Sequence, residues 1–172
     1  MTIPRPADDE HAPYYSRYVA LVPDGDLLAE LTRHARETAA MLRRVPPARI
    51  HFRYQPGKWS VLEVIGHIID TERVFAYRGL AFSRADTTPQ PAFDENAWVP
   101  GSAADDRALE SLVAEFEAVR AATVALFGGM TAAQLARRGT ASGKPMSARA
   151  AAWVIAGHER HHVALLHERY GI

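Results

Sequence analysis

The sequence predicts an all-α fold, a four-helix bundle with long connecting loops. Four segments carry apolar residues at intervals of three and four, which places them on one face of a helix. The alternation of apolar and polar residues that is typical of a half-buried strand is scarce. At 172 residues the chain has the length of one domain. We therefore expect a single helical domain over residues 1–172, with an N-terminal arm of about residues 1–23 that packs onto it.

The first long helix is predicted to begin near Asp24 or Asp26, because aspartate is a preferred N-cap residue. Pro46 and Pro47 end it, since proline cannot continue a helix. Its apolar seam consists of Leu28, Leu31, Ala35, Thr38, Leu42 and Val45. A connection over residues 48–59 leads to the next helix.

The second long helix begins at Ser60, which forms a capping box with Glu63. It is predicted to run to about Arg84. One face of it carries His67, Thr71, Val74 and Arg78, and Asp70 lies close to that face.

The second half of the chain contains two further long helices. Residues 86–101 are predicted to be an irregular connection, and connections of that length often cover sites. The third long helix starts near Ala104 or Asp105 and ends at Gly128 and Gly129. Residues 131–138 form a short helix and residues 139–146 a turn. Ser147 then caps the fourth long helix, which continues to about residue 169.

The composition excludes several classes of protein. The chain has no cysteine, which rules out disulfides, zinc ribbons and cysteine nucleophiles. Its 20 basic and 20 acidic residues cancel, so no basic surface for nucleic acid is predicted. The N-terminus has no apolar signal-peptide core, and no stretch has the length of a membrane span. We expect a cytoplasmic protein that binds neither nucleic acid nor membrane.

The most informative motif is His158-Glu159-Arg160-His161-His162. His158 and His162 stand one turn apart and can bind one metal ion, as in the H-E-x-x-H zinc proteases. Those proteases take their third ligand from downstream. Here the third histidine of the extended protease motif would fall on Glu168, and the chain reaches residue 172 soon afterwards. A zinc protease is therefore not favoured.

The third ligand is predicted upstream, at His67 on the second long helix. His158 and His162 replace apolar residues in the core stripe of the last helix, so all three imidazoles are expected inside the bundle. They either accept hydrogen bonds there or hold a metal ion, and the spacing favours the metal. Three histidines leave coordination positions open for water or substrate, which is typical of a catalytic site.

Three further residues are candidates for supporting this site. Asp70 or Glu159 could accept a hydrogen bond from a ligating histidine, although pairing of Asp70 and Glu72 with arginines is an equally good interpretation of Asp70. His161 lies about 100° around the helix from His162, so it cannot share the same ion and is predicted to be a neighbouring or surface group.

Several spaced motifs resemble the DinB-like (YfiT-like) proteins. The resemblance runs from about Tyr14 to Tyr170, and its motifs occur in the expected order. They are Lys58-Trp59-Ser60, His67-Ile68-Ile69-Asp70-Thr71-Glu72-Arg73, Tyr77-Arg78, Phe93-Asp94-Glu95, Glu115-Phe116-x-x-x-Arg120, Gly157-His158-Glu159-Arg160-His161-His162 and Glu168-Arg169-Tyr170. The resemblance implies a four-helix bundle, usually a homodimer, in which histidines at positions 67, 158 and 162 bind a divalent ion.

The same resemblance suggests two kinds of function. Some relatives transfer low-molecular-weight thiols and others are described as metal-dependent hydrolases, so we expect a metal-dependent enzyme that acts on a small thiol, an electrophile or a hydrolysable substrate. The alternative is a non-catalytic, stress-related metal-binding dimer. Three imidazoles accept several metals, and we expect zinc or nickel ahead of iron or manganese.

Overall fold

The computed structural model describes residues 2–172, so Met1 of the predicted arm lies outside the described residues. The fold is a four-helix bundle, as predicted. Its long helices are α2 (Leu27–Leu42), α3 (Val61–Ser83), α5 (Leu109–Gly128) and α7 (Ala148–Leu165). Helix α3 packs against α5 and α7, and α2 packs mainly against α5.

Three predicted N-caps are present. Asp26 accepts hydrogen bonds from the amides of Leu28 and Ala29 at the start of α2. Ser60 forms the predicted capping box with Glu63 at the start of α3. Ser147 accepts from the Ala150 amide and begins α7, whose last turn widens into a π-helix over Leu166–Tyr170.

The predicted start of the third long helix is wrong. Residues Ala104–Asp106 form only a 3-10 turn, and α5 begins at Leu109. The chain is extended at Arg107 and Ala108, which separates the two elements. Asp105 does not cap the helix, because its carboxylate accepts hydrogen bonds from Ser60 and Arg53.

Residues expected to be irregular contain further elements. The connection after α3 includes α4 (Glu95–Gly101), which Asp94 caps. The short helix α6 covers Ala132–Leu135. The predicted turn over 139–146 is a hairpin instead, in which β1 (Arg138–Ala141) pairs antiparallel with β2 (Lys144–Ser147). Ser142 and Gly143 link the strands with positive φ angles of 53° and 72°, as a two-residue hairpin turn requires.

The N-terminal arm contains α1 (Pro13–Val19), which packs against α7. The approach is close at Gly157, where an added Cβ atom would stand 1.9 Å from the carbonyl oxygen of Tyr18. Glycine is therefore required at this position, one residue before His158. The contact places Tyr14, Tyr15 and Tyr18 of α1 beside the histidine motif.

A polar layer crosses the middle of the bundle and separates two apolar clusters. One cluster contains Phe75, Phe82, Phe127 and Trp153, and the other contains Ile65, Ile68, Phe116 and Tyr170. Between them lie buried polar side chains from all four long helices. These are Thr38, His67, Thr71, Glu72, Arg120, Thr123, His158, Glu159 and His162. Buried polar groups are costly unless they have partners, so this layer is the first place to look for function.

None of the helices in residues 2–172 combines the length and the apolarity needed to cross a bilayer.

Candidate metal centre

The three predicted histidines meet at the interface of α3 and α7. His67 lies in the second turn of α3, and His158 and His162 lie one turn apart on the facing side of α7. Their side chains are buried, with 6–7% of each residue exposed. The pairing of α3 with α7 therefore brings together residues that are 91 positions apart in the chain.

The ring nitrogens converge on one point. Nε2 of His158 lies 3.0 Å from Nε2 of His67 and 3.1 Å from Nε2 of His162. The candidate ligand atoms of the three rings all lie within 4.8 Å of one another. A metal with bonds of about 2.0–2.1 Å to two imidazoles holds their nitrogens about 2.8–3.4 Å apart, for bond angles between octahedral and tetrahedral values. The spacing therefore fits a shared ion.

The environment keeps the rings neutral. Burial, together with the charge of His161, lowers the pKa of His67 to about 4. Burial and the neighbouring histidines also lower the pKa of His158 and of His162 well below the usual value. Neutral imidazoles carry the lone pairs that a metal needs, and three converging lone pairs cannot all be satisfied by hydrogen bonds among themselves.

The sequence matches the DinB superfamily over residues 30–166, which is most of the chain. The chain belongs to the DinB superfamily. Its structure is similar to that of YfiT from Bacillus subtilis, described as a probable metal-dependent hydrolase with an unusual four-helix bundle topology. The TM-score is 0.70 and the identity 19%, over 96% of this chain and 93% of the YfiT chain. No curated protein matches the sequence.

In this DinB-superfamily protein, Glu159 points away from the three rings. Its Oε2 atom accepts a hydrogen bond of 2.7 Å from Arg120, and its Oε1 atom lies 2.7 Å from the Thr38 hydroxyl and 3.0 Å from Nδ1 of His34. Burial alone would raise the pKa of Glu159, but Arg120 and these hydrogen bonds lower it overall. The carboxylate is committed to a buried network and contacts none of the three rings.

That network joins all four long helices. Arg120 on α5 also pairs with Glu72 on α3 through two hydrogen bonds of 2.8 Å, and it donates to the Leu31 carbonyl on α2. Arg120, Glu72 and Glu159 are each at most 3% exposed. Because Glu159 directly follows His158, and Glu72 lies on the ligand-bearing helix α3, the network fixes α3 and α7 relative to each other.

Asp70, the second candidate for supporting the site, does not contact the three histidine rings through a hydrogen bond. Asp70 is partly exposed, and its nearest cation is Arg73 at 3.9 Å. It borders a surface cavity and makes no hydrogen bond to the rings. Burial raises the pKa of Asp70.

His161 lies beside the site, with its ring centroid 5.0 Å from that of His162 and 5.5 Å from that of Tyr18. Nδ1 of His162 is buried without a hydrogen-bond partner.

A cavity of about 90 Å³ lies against His67 and His158. Three tyrosines and two phenylalanines line it as well, and Glu95 of α4 supplies the one carboxylate. Thr71 also borders it, and its buried hydroxyl has no hydrogen-bond partner. The sequence placed Thr71 on the same face as His67. The sequence gave Glu95 only as part of the Phe93-Asp94-Glu95 motif, in a connection of a length that often covers sites, and the path of that connection brings Glu95 to the cavity wall.

Metal-free protein is expected to lose stability as the pH falls from about 6.5 to 4. In the unfolded chain a histidine takes up its proton near pH 6.5, whereas folded His67 does so only near pH 4. Between these values the unfolded chain binds more protons, so acid favours unfolding, and above this window the contribution is fully retained. His67 alone accounts for roughly 3 kcal/mol of this loss.

Urea unfolding of chelator-treated protein at several pH values measures this effect. The variant His67→Asn should show a shallower decline of the free energy of unfolding between pH 6.5 and 4. Identical slopes for the variant and the wild type would show that His67 is not neutral in the folded state.

Proposed function

We propose that this protein is a metal-dependent enzyme whose divalent ion is bound by His67, His158 and His162. The observation that carries the proposal is the convergence of three buried, neutral Nε2 atoms, two of them 3.0 and 3.1 Å from the third, beside a cavity. A divalent ion bound to three imidazoles acts as a Lewis acid and lowers the pKa of a water or thiol that it binds.

The residues around the ion have separable tasks. The aromatic rings of Tyr14, Tyr18 and Phe93 line the space next to the ligands. The unpartnered hydroxyl of Thr71 can donate a hydrogen bond to a substrate in that space. Glu95 is the acidic group on the cavity wall and can take up the proton that a nucleophile releases.

The nucleophile is either water or a small thiol. The description of YfiT as a probable metal-dependent hydrolase supports water. Because this chain has no cysteine, a thiol would have to come from a low-molecular-weight thiol bound as a second substrate. We infer zinc or nickel as the ion, since imidazole ligands suit both.

An activity panel tests the proposal. Metal-loaded protein is expected to hydrolyse activated esters or amides, or to accelerate the reaction of a small thiol with an electrophile such as monobromobimane. Turnover should be lost on chelation and in His158→Ala, but retained in His161→Ala. Turnover that persists in chelated protein would contradict the proposal. No turnover in either assay would favour the alternative, a non-catalytic metal-binding protein.

A homodimer and a cytoplasmic location both stay predictions from the sequence.

A further inference from the structure

Arg78 is a buried cation without a carboxylate partner. It is 1% exposed, and its Nη2 atom donates to the Pro91 carbonyl at 2.7 Å and to the Ser142 hydroxyl at 3.2 Å. Its Nη1 atom is buried and has no hydrogen-bond partner. The other buried arginine, Arg120 in the polar layer, pairs with two carboxylates. The guanidinium of Arg78 also lies 5.0 Å from the ring centroid of Phe75 and 5.9 Å from that of Phe93. A buried charge is normally paired with an opposite charge, and no carboxylate in residues 2–172 pairs with Arg78, so an anion from outside the chain fits this position.

Arg78 forms part of the wall of a cavity of about 520 Å³ between α3 and the connection that follows it. The wall is largely apolar and includes the exposed side chains of Tyr77 and Trp98. The other arginine in the wall, Arg73, already pairs with Glu115. Only Arg78, of these two cations, has donor capacity to spare. Large apolar cavities with a few polar groups are typical small-molecule sites.

The cavity adjoins the metal centre. Phe93 lines both this cavity and the smaller one beside His67 and His158. Ser142, which accepts a hydrogen bond from Arg78, lines the smaller one. Arg78 stands roughly three helical turns beyond His67 on the same face of α3. A molecule that contacts Arg78 and Phe93 therefore lies next to the cavity beside the histidines.

We propose that Arg78 binds the carboxylate of the substrate, whose apolar body lies along Tyr77, Phe93 and Trp98. The reaction at the metal rests on the proposed function, but the carboxylate site does not. A guanidinium matches a carboxylate with two parallel hydrogen bonds. A phosphate dianion is less suitable, because Asp70 borders the same cavity and no second free cation does. The carboxylate would replace the 3.2 Å hydrogen bond that Nη2 of Arg78 donates to the hydroxyl of Ser142, which is exposed.

Isothermal titration calorimetry with phenylacetate and its neutral isostere phenylacetamide tests the site. Wild-type protein, both as purified and after chelation, is expected to bind phenylacetate at least tenfold more tightly than the amide. Arg78→Gln should reduce this preference to about twofold or less. The control Arg33→Gln removes the same charge from α2, which contributes no residue to the cavity, and should keep the full preference.

Three results would overturn the proposal. The first is equal binding of phenylacetate and phenylacetamide by wild-type protein. The second is an equal loss of the preference for phenylacetate in Arg78→Gln and Arg33→Gln. The third is binding of phenylacetate that is abolished by chelation but unaffected by Arg78→Gln. If Arg78→Gln does not fold, the comparison of acid and amide on the chelated wild-type protein decides.

The two proposals can fail separately. A carboxylate preference that depends on Arg78, without turnover in the activity panel, would support this site and contradict the enzymatic function. Turnover without any preference for carboxylates would support the enzymatic function and contradict the carboxylate site.

Discussion

Replacing Arg120 with methionine is expected to lower the free energy of unfolding by about 3–5 kcal/mol. The guanidinium bridges Glu72 and Glu159, which are 2% and 1% exposed, and it also satisfies the Leu31 carbonyl. Without it two carboxylates remain buried with no arginine or lysine within reach, and Glu159 keeps only the Thr38 hydroxyl and Nδ1 of His34 as neighbours. Removing one partner from a buried ion pair costs far more than the pair itself contributes, because the remaining charge is uncompensated. Urea unfolding followed by circular dichroism measures the change.

Arg43→Met is the matched control. Arg43 also pairs with two carboxylates, those of Glu110 and Glu117, but it is exposed at the surface. Solvent screens such pairs, so the free energy of unfolding should hardly change. If both variants lost the same stability, the burial of the Arg120 network would not be the cause.

His158→Ala is expected to weaken binding of the divalent ion by on the order of 100- to 1000-fold, since a structural zinc site of four ligands is worth about 10–16 kcal/mol in total. His158 occupies the centre of the triad, because its Nε2 atom is the one close to both of the others. Two imidazoles from different helices would remain. Competition with a chromophoric chelator measures the affinity.

His161→Ala provides the control for this variant. It removes an imidazole from the same helix turn, but one that is absent from the converging set. The affinity of His161→Ala for the ion should stay within about threefold of the wild type, which is a much smaller change than the one expected when a metal ligand is removed. A comparable loss in both variants would mean that His158 acts no more specifically than its neighbour.

The long helices were predictable because their signals are local. Asp26, Ser60 and Ser147 cap the helices that follow them, and a cap depends only on the next three residues. The elements that were missed depend on distant partners. Helix α5 begins late because Asp105 is engaged by Arg53 and Ser60, and Gln90 in the connection after α3 pairs with Ala141 of the hairpin.

The same distinction holds for the candidate site. The histidine pair was visible because imidazoles at positions 158 and 162 interrupt an apolar stripe, and position 67 lies on a face of another helix that the sequence predicts to be buried. The partners of Glu159 were not visible, because an acidic residue on a helix does not reveal which arginine faces it in the bundle. Nor does the sequence reveal that Arg78 lacks an acidic partner, or which side chain of the connection after α3 reaches the cavity wall.

Elemental analysis of untagged protein, purified without added metal, tests the central claim most directly. We expect about one divalent ion per chain in the wild type and a small fraction of that in His158→Ala, because a ligand set of three loses most of its affinity with one member. Substoichiometric metal in the wild type, at a level unchanged by His158→Ala, would contradict the assignment of His67, His158 and His162 as the metal ligands.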